Sequence, residues 1–154
     1  MNQLNIGSAL PAFVGVDQNG EEINSNDFSG KRLVVYFYPK DNTPGCTAQA
    51  CSLRDDYSAL LENNIAVIGV SADSVSSHKK FMDKFQLPFP LIADTEKMLL
   101  NLFGVWGPKK FMGKTYDGIH RTSFLFDETG NLMSIIEKPN TKNHAQEILA
   151  IYTN

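Results

Sequence analysis

Two apolar runs constrain the fold more than anything else in the chain. RLVVYFY (Arg32–Tyr38) and IAVIGVSAD (Ile65–Asp73) are built largely from β-branched, aliphatic and aromatic residues. Neither alternates polar with apolar positions, so both read as buried strands. The residues between them, from Pro44 to about Asn63, read as a helix. Helices alternating with buried strands predict an α/β fold, with a mixed central β-sheet and helices on both faces.

The remaining elements extend that frame. SVSSHKKFMDKFQ (Ser74–Gln86) reads as a helix capped by Ser74 or Asp73. FPLIAD (Phe89–Asp94) reads as a short strand, and TEKMLLNLF (Thr95–Phe103) as a short helix stopped by Gly104. RTSFLFDETGNLMSIIE (Arg121–Glu137) reads as two strands around a Gly130 turn, and TKNHAQEILAIYT as a closing helix. Asn19-Gly20 signals a hairpin near the N-terminus. Gly104–Ile119, rich in glycine and lysine, is expected to be a long loop, with Lys109–Lys114 solvated. His78, flanked by lysines, is expected to face water. Trp106 is expected to pack as an ordinary aromatic, and His120 to be incidental.

At 154 residues one domain is expected, spanning 1–154. The net charge of −3 gives no footing for nucleic acid or for an acidic membrane surface. No apolar run approaches the ~18 residues of a spanning helix. MNQLNIGSALPAF lacks the basic-then-apolar pattern of a leader. A reducing, cytoplasmic setting is expected, where two cysteines are more often free thiols than a structural framework.

Those two cysteines, Cys46 and Cys51, lie in YPKDNTPGCTAQACSLRDDY. Thr43 is a preferred N-cap and Pro44 a preferred first helical residue. Cys46 therefore falls in the first turn, where the dipole and unpaired N–H groups favour an anion. On a helical wheel Ala50, Leu53, Tyr57 and Leu60 lie within about 40° of Cys46, which turns it inward. Cys51 lies ~140° away and ~7.5 Å along the axis, so the two Cα atoms are roughly 8–9 Å apart. That exceeds the ~7 Å reach of a disulfide. The pair can bond only if the first turns unwind, which Gly45 and the polar stretch Thr47-Ala48-Gln49 would favour. Two inert buried thiols are the plainer account. A zinc site is poorly supported, with His78, His120 and His144 scattered singly, and no Cys-x-x-Cys is present.

Pro39, Thr43 and Cys46, spaced Pro-x-x-x-Thr-x-x-Cys, resemble the peroxiredoxin active-site motif. Cys51 is similar to the resolving cysteine of the bacterioferritin-comigratory-protein, or Q-type, branch. FGVWG and FMGKTYDGIHRTSFLFDETG extend the resemblance over nearly the whole chain. It implies a thioredoxin-like fold with an N-terminal β-hairpin extension and a thiol peroxidase acting on hydrogen peroxide and organic hydroperoxides. It implies no cofactor, neither metal, haem nor flavin. Cys46 would be the peroxidatic cysteine and Cys51 the resolving one. Pro39 would shield the thiolate, Thr43 would hydrogen-bond the sulfur or the peroxide, and Arg121 would sit beside the sulfur. The implied partner is thioredoxin or a similar dithiol reductant, and the implied state a monomer or weak dimer. Plainer roles stand beside these: Thr43 as a helix cap, Pro39 as a strand terminator, Arg121 as a surface cation. A redox-sensing module and a structural protein with inert thiols are the alternatives in other classes.

Overall fold

The computed structural model describes residues 4–154. Residues 1–3, the start of the stretch searched for a leader, lie outside the described residues. In chain order the strands are β1 (Val14–Val16), β2 (Glu22–Asn24), β3 (Arg32–Phe37), β4 (Ile65–Ser71), β5 (Leu91–Ala93), β6 (Trp106–Phe111), β7 (Lys114–Ile119), β8 (Thr122–Phe126) and β9 (Leu132–Ile136). The helices are α1 (Pro44–Asp55), α2 (Tyr57–Glu62), α3 (Val75–Phe85), α4 (Met98–Leu102) and α5 (His144–Thr153).

The two constraining runs become the central strands. The five-stranded sheet has the order β5-β4-β3-β8-β9. β3 and β4 run parallel, as do β4 and β5, while β8 pairs antiparallel with β3 and β9. Alternate residues of β3 feed two cores. Val34, Tyr36 and, just beyond the strand, Tyr38 join Ala50, Leu53, Leu60, Phe81 and Ile148 on one face. Leu33, Val35 and Phe37 join Leu99, Leu100, Phe103 and Phe124 on the other. A strand apolar on both sides is the response to helices on both sides. The mixed sheet and the helices on both faces are as expected. So is the N-terminal hairpin: Asp17 Oδ1 accepts from the N–H groups of Asn19 and Glu21, and Gly20 takes φ +75°.

Three expectations fail. The helix from Pro44 does not run unbroken to Asn63 but is interrupted at Asp56, with φ −109° and ψ 19°. Asp56 both ends α1 and precedes α2. Gly104–Ile119 is not a loop. Its residues from Trp106 onward form the β6–β7 hairpin, turned by Met112 at φ +51° and Gly113 at φ +79°. Two positive φ values are what a tight two-residue hairpin turn demands. His78 is not solvated. It is completely buried, three residues before Phe81 and seven before Phe85, on the apolar face of α3. Trp106 packs as expected, with Lys97 Nζ 4.9 Å from its ring centre.

Gly69 faces Tyr36 across the β3–β4 pairing, and the Tyr36 ring folds over it. A methyl group there would lie 2.8 Å from Leu91 Cδ2 and 2.9 Å from Tyr36 Cζ. Gly69→Ala is expected to lower unfolding stability by about 1–3 kcal/mol, read from urea unfolding. An unchanged midpoint would mean the ring yields freely.

His144, buried where α5 begins, has Nε2 2.8 Å from Ser123 Oγ and Nδ1 3.0 Å from Glu147 Oε1. Burial pushes its pKa below the ordinary 6.5, against the opposing pull of Glu147 and with some help from Arg121. The unfolded chain takes up a proton near pH 6.5 and the folded one resists. The stability tied to neutral His144 is therefore complete above that pH and declines as pH falls through it. Urea midpoints at about pH 7.5 and about pH 5.5 should differ, and His144→Gln should shrink the difference.

Candidate active site at the start of α1

β3 delivers the chain to one end of the sheet, and a short turn leads it into α1. Tyr38 N–H still pairs with Val70 O at 3.1 Å. Pro39, half-buried, then has no N–H to continue the ladder. Thr43 has extended N-cap geometry, and Pro44 occupies the first helical position. The first helical hydrogen bond runs from Thr47 N–H to Thr43 O at 2.8 Å. The N–H groups of Gly45 and Cys46 precede that bond and have no acceptor within the helix.

Cys46 is 2% exposed. Ala50, Leu53 and Leu60 share its buried face, as the helical wheel predicts. Cys51 is half-buried, lies in the same helix, and both thiols are free. Five helical residues hold their Cα atoms roughly 8–9 Å apart, beyond disulfide reach.

Arg121 comes from the short connection between β7 and β8. Because β8 pairs beside β3, that connection opens next to the start of α1. Arg121 Nη2 donates to Cys46 Sγ at 3.4 Å, and Nη1 donates to Gln49 Oε1 at 2.7 Å. The guanidinium passes over the bare Cα of Gly45, where a Cβ would sit 3.2 Å from Nη2. Gly45 is thus a matter of space, and so is the closeness of cation and sulfur.

Thr43 does not take the capping role weighed for it. No side-chain cap is made, and its hydroxyl donates to Lys40 O at 2.8 Å. A hydroxyl whose hydrogen is so committed keeps its lone pairs for accepting. His120 Nε2 lies 3.0 Å from Pro108 O and ties down the β6–β7 hairpin.

The sequence reading missed Gln49. By sequence it belongs to a polar, weakly held stretch, yet it is completely buried and holds Arg121. Its position three residues after Cys46, on the same side of the helix, is the signal that could have found it. Two buried side-chain atoms lack a partner among the described residues, Gln49 Nε2 and Tyr36 Oη. Burial first, then the neighbouring Cys46, raises the Tyr36 pKa well above its ordinary value. A sulfur nucleophile at a helix N-terminus, with a guanidinium against it, can attack an electrophilic oxygen and stabilise the charge that leaves.

Comparison with known proteins agrees with this chemistry. Residues 6–135 match the AhpC/TSA family. Peroxiredoxin Bcp of Escherichia coli is 46% identical over 149 residues, covering 97% of this chain and 96% of that protein. The solved structure of PrxQ from Xylella fastidiosa superimposes with a TM-score of 0.91, at 30% identity, covering 97% of this chain and 96% of that one. The bacterioferritin comigratory protein of Xanthomonas campestris, solved in a study of its alkyl peroxide reduction, gives a TM-score of 0.87 at 31% identity. It covers 95% of this chain and 98% of that one. The fold, the match along the chain and the paired cysteines lead to one conclusion: the chain belongs to the AhpC/TSA family, as a peroxiredoxin with a thioredoxin-like fold, a thiol-based peroxidase.

Proposed function

We propose that this peroxidase reduces hydrogen peroxide and organic hydroperoxides through Cys46, with Cys51 as its resolving partner. The observation that carries the reading is the buried Cys46 sulfur, in the first turn of α1, 3.4 Å from Arg121 Nη2. The Cys46 thiolate attacks the terminal oxygen of the peroxide. An S–O bond forms, the O–O bond breaks, and the leaving oxygen takes up a proton as water or an alcohol. Cys46 becomes a sulfenic acid. Negative charge moves from sulfur to oxygen, so Arg121 and the free N–H groups of the first turn stabilise both ends of the shift. Thr43, its own hydrogen held by Lys40 O, accepts a hydrogen bond from the peroxide O–H. Pro39, at the end of β3, limits access of water to the sulfur.

Resolution requires α1 to open, because the intact helix keeps the cysteines apart. Gln49 supports such opening: its buried, unpartnered amide nitrogen costs about 1–3 kcal/mol that exposure to water would recover. Cys51 then attacks the Cys46 sulfenic acid, water leaves, and a Cys46–Cys51 disulfide forms. A dithiol protein such as thioredoxin reduces it by exchange, restoring both thiols. The whole chain, 1–154, works as one domain in a reducing cytoplasm, as a monomer or weak dimer. Among the described residues no helix is long and apolar enough to cross a membrane.

Peroxide-dependent NADPH consumption, coupled through thioredoxin and its reductase, tests the cycle. Cys46→Ser should lose all turnover, and wild-type turnover in that variant would sink the reading. Cys51→Ser should still oxidise once at Cys46 but lose thioredoxin-coupled cycling.

Gly45 tests the role of Arg121 without deleting it. Gly45→Val should push the guanidinium off the sulfur and slow Cys46 oxidation by about tenfold or more. Stopped-flow or quenched oxidation kinetics would show this, and an unchanged rate would mean that the contact does not serve the chemistry.

A further inference from the structure

We infer that Asp41 and His78 are positioning residues for the peroxide step: their buried pair locks the turn that presents Cys46 to Arg121. The inference rests on the reaction proposed for Cys46. Asp41 lies two residues before the Thr43 N-cap, and its side chain is 3% exposed. Oδ1 accepts from the Tyr38 hydroxyl at 2.6 Å. Oδ2 accepts from the Ser77 hydroxyl at 2.8 Å and lies 2.7 Å from His78 Nδ1. The backbone N–H of Asp41 donates to Asp73 Oδ2 at 2.8 Å, which also accepts from the Ser71 hydroxyl at 2.7 Å. The other ring nitrogen of His78, Nε2, is held 2.9 Å from Ile92 O on β5. One turn residue is thereby tied to β3, to α3, to the segment after β4 and, through His78, to β5.

Asp41, Asp73 and His78 bring their polar atoms within 4.8 Å of one another, the spacing of a metal site. The hydrogen bonds favour a different reading. The Asp41 carboxylate is shared among three side chains, and both His78 nitrogens face protein oxygens. The cluster is closed on itself and points its ties at the turn.

The turn they hold is tight. Asn42, between Asp41 and Thr43, has φ +58°, the left-handed conformation that Asn accepts more readily than other side chains. Only a few residues separate the anchored Asp41 from a sulfur that must meet the guanidinium at 3.4 Å. Beyond Cys46 the hold is looser, with the Gln49 amide nitrogen unpartnered. The segment is therefore firm before Thr43 and yielding after it. When α1 opens for Cys51, the chain pivots on Asp41, and re-forming the helix returns Cys46 to the same place.

A single substitution would strand the other partner in the core, so the informative variant replaces both. Asp41→Ala combined with His78→Leu swaps the pair for apolar side chains. Ser77→Ala removes one tie and leaves the pair. Each protein would receive a pulse of hydrogen peroxide, followed by rapid quench with a thiol-blocking reagent and mass spectrometry. This resolves the rate of Cys46 oxidation from the rate of disulfide formation. The double variant is expected to oxidise Cys46 at least about tenfold more slowly without slowing disulfide formation. Ser77→Ala is expected to show a smaller change of the same kind. Wild-type oxidation rates in a folded double variant would overturn the inference. So would equal slowing of both steps, the mark of a merely structural role. Should the double variant fail to fold, an unchanged oxidation rate in Ser77→Ala would overturn it. Absence of any Cys46 oxidation in the wild type would instead overturn the proposed reaction itself.

Discussion

A guanidinium held against a buried sulfur is the contact around which the rest of the molecule is arranged. Arg121 and Cys46 stand 75 residues apart in the chain and 3.4 Å apart in space. Bringing them together needs β8 beside β3, since β3 feeds α1 and β8 begins just after Arg121. It needs Gly45 as well, because a side chain there would crowd Nη2. It needs Gln49, whose carbonyl fixes the other arm of the guanidinium. In the proposed reaction that cation stands where charge passes from sulfur to the leaving oxygen.

In the proposed cycle the helix presenting that sulfur is ordered for one step and open for the next. Its sequence reflects both demands. Ala50 and Leu53 dock it on the sheet, and Ser52 Oγ accepts from Ala145 N–H at 3.1 Å where α5 begins. Against these stands the buried amide nitrogen of Gln49, which has no partner among the described residues. An element with unmet polar groups in its first turns is less stable than its apolar contacts suggest. The five-residue spacing of the cysteines is in keeping with that proposal, since an intact helix holds them beyond disulfide reach.

What could be read along the chain was whatever depends on short-range pattern. The two central strands, the helix start at Thr43-Pro44, the inward face of Cys46 and the hairpin at Asn19-Gly20 all follow from neighbours in sequence. The failures share a cause. β6 and β7 look like a loop because glycine, proline and lysine dominate them, and their turn uses Met112 where Asn would have been legible. His78 looks solvated because lysines follow it, yet Phe81 and Phe85 place it on the buried face of α3. Gln49 looks like surface because its partner is Arg121, far away along the chain. A polar residue is buried for the sake of a partner, and local pattern does not name the partner.

The sequence by itself determined the layered α/β frame, the placement of Cys46 at a helix start and the distance that keeps Cys51 from it. These rest on periodicity, helix geometry and chain-local preferences, which act over a few residues. Only the tertiary structure decided which groups surround the sulfur. It set Arg121 on Cys46, aligned Gln49 behind it, turned the Thr43 hydroxyl to Lys40 O and closed Asp41 and His78 into one buried pair. Those contacts join distant segments, and strand order and packing in the folded sheet bring them within hydrogen-bond reach.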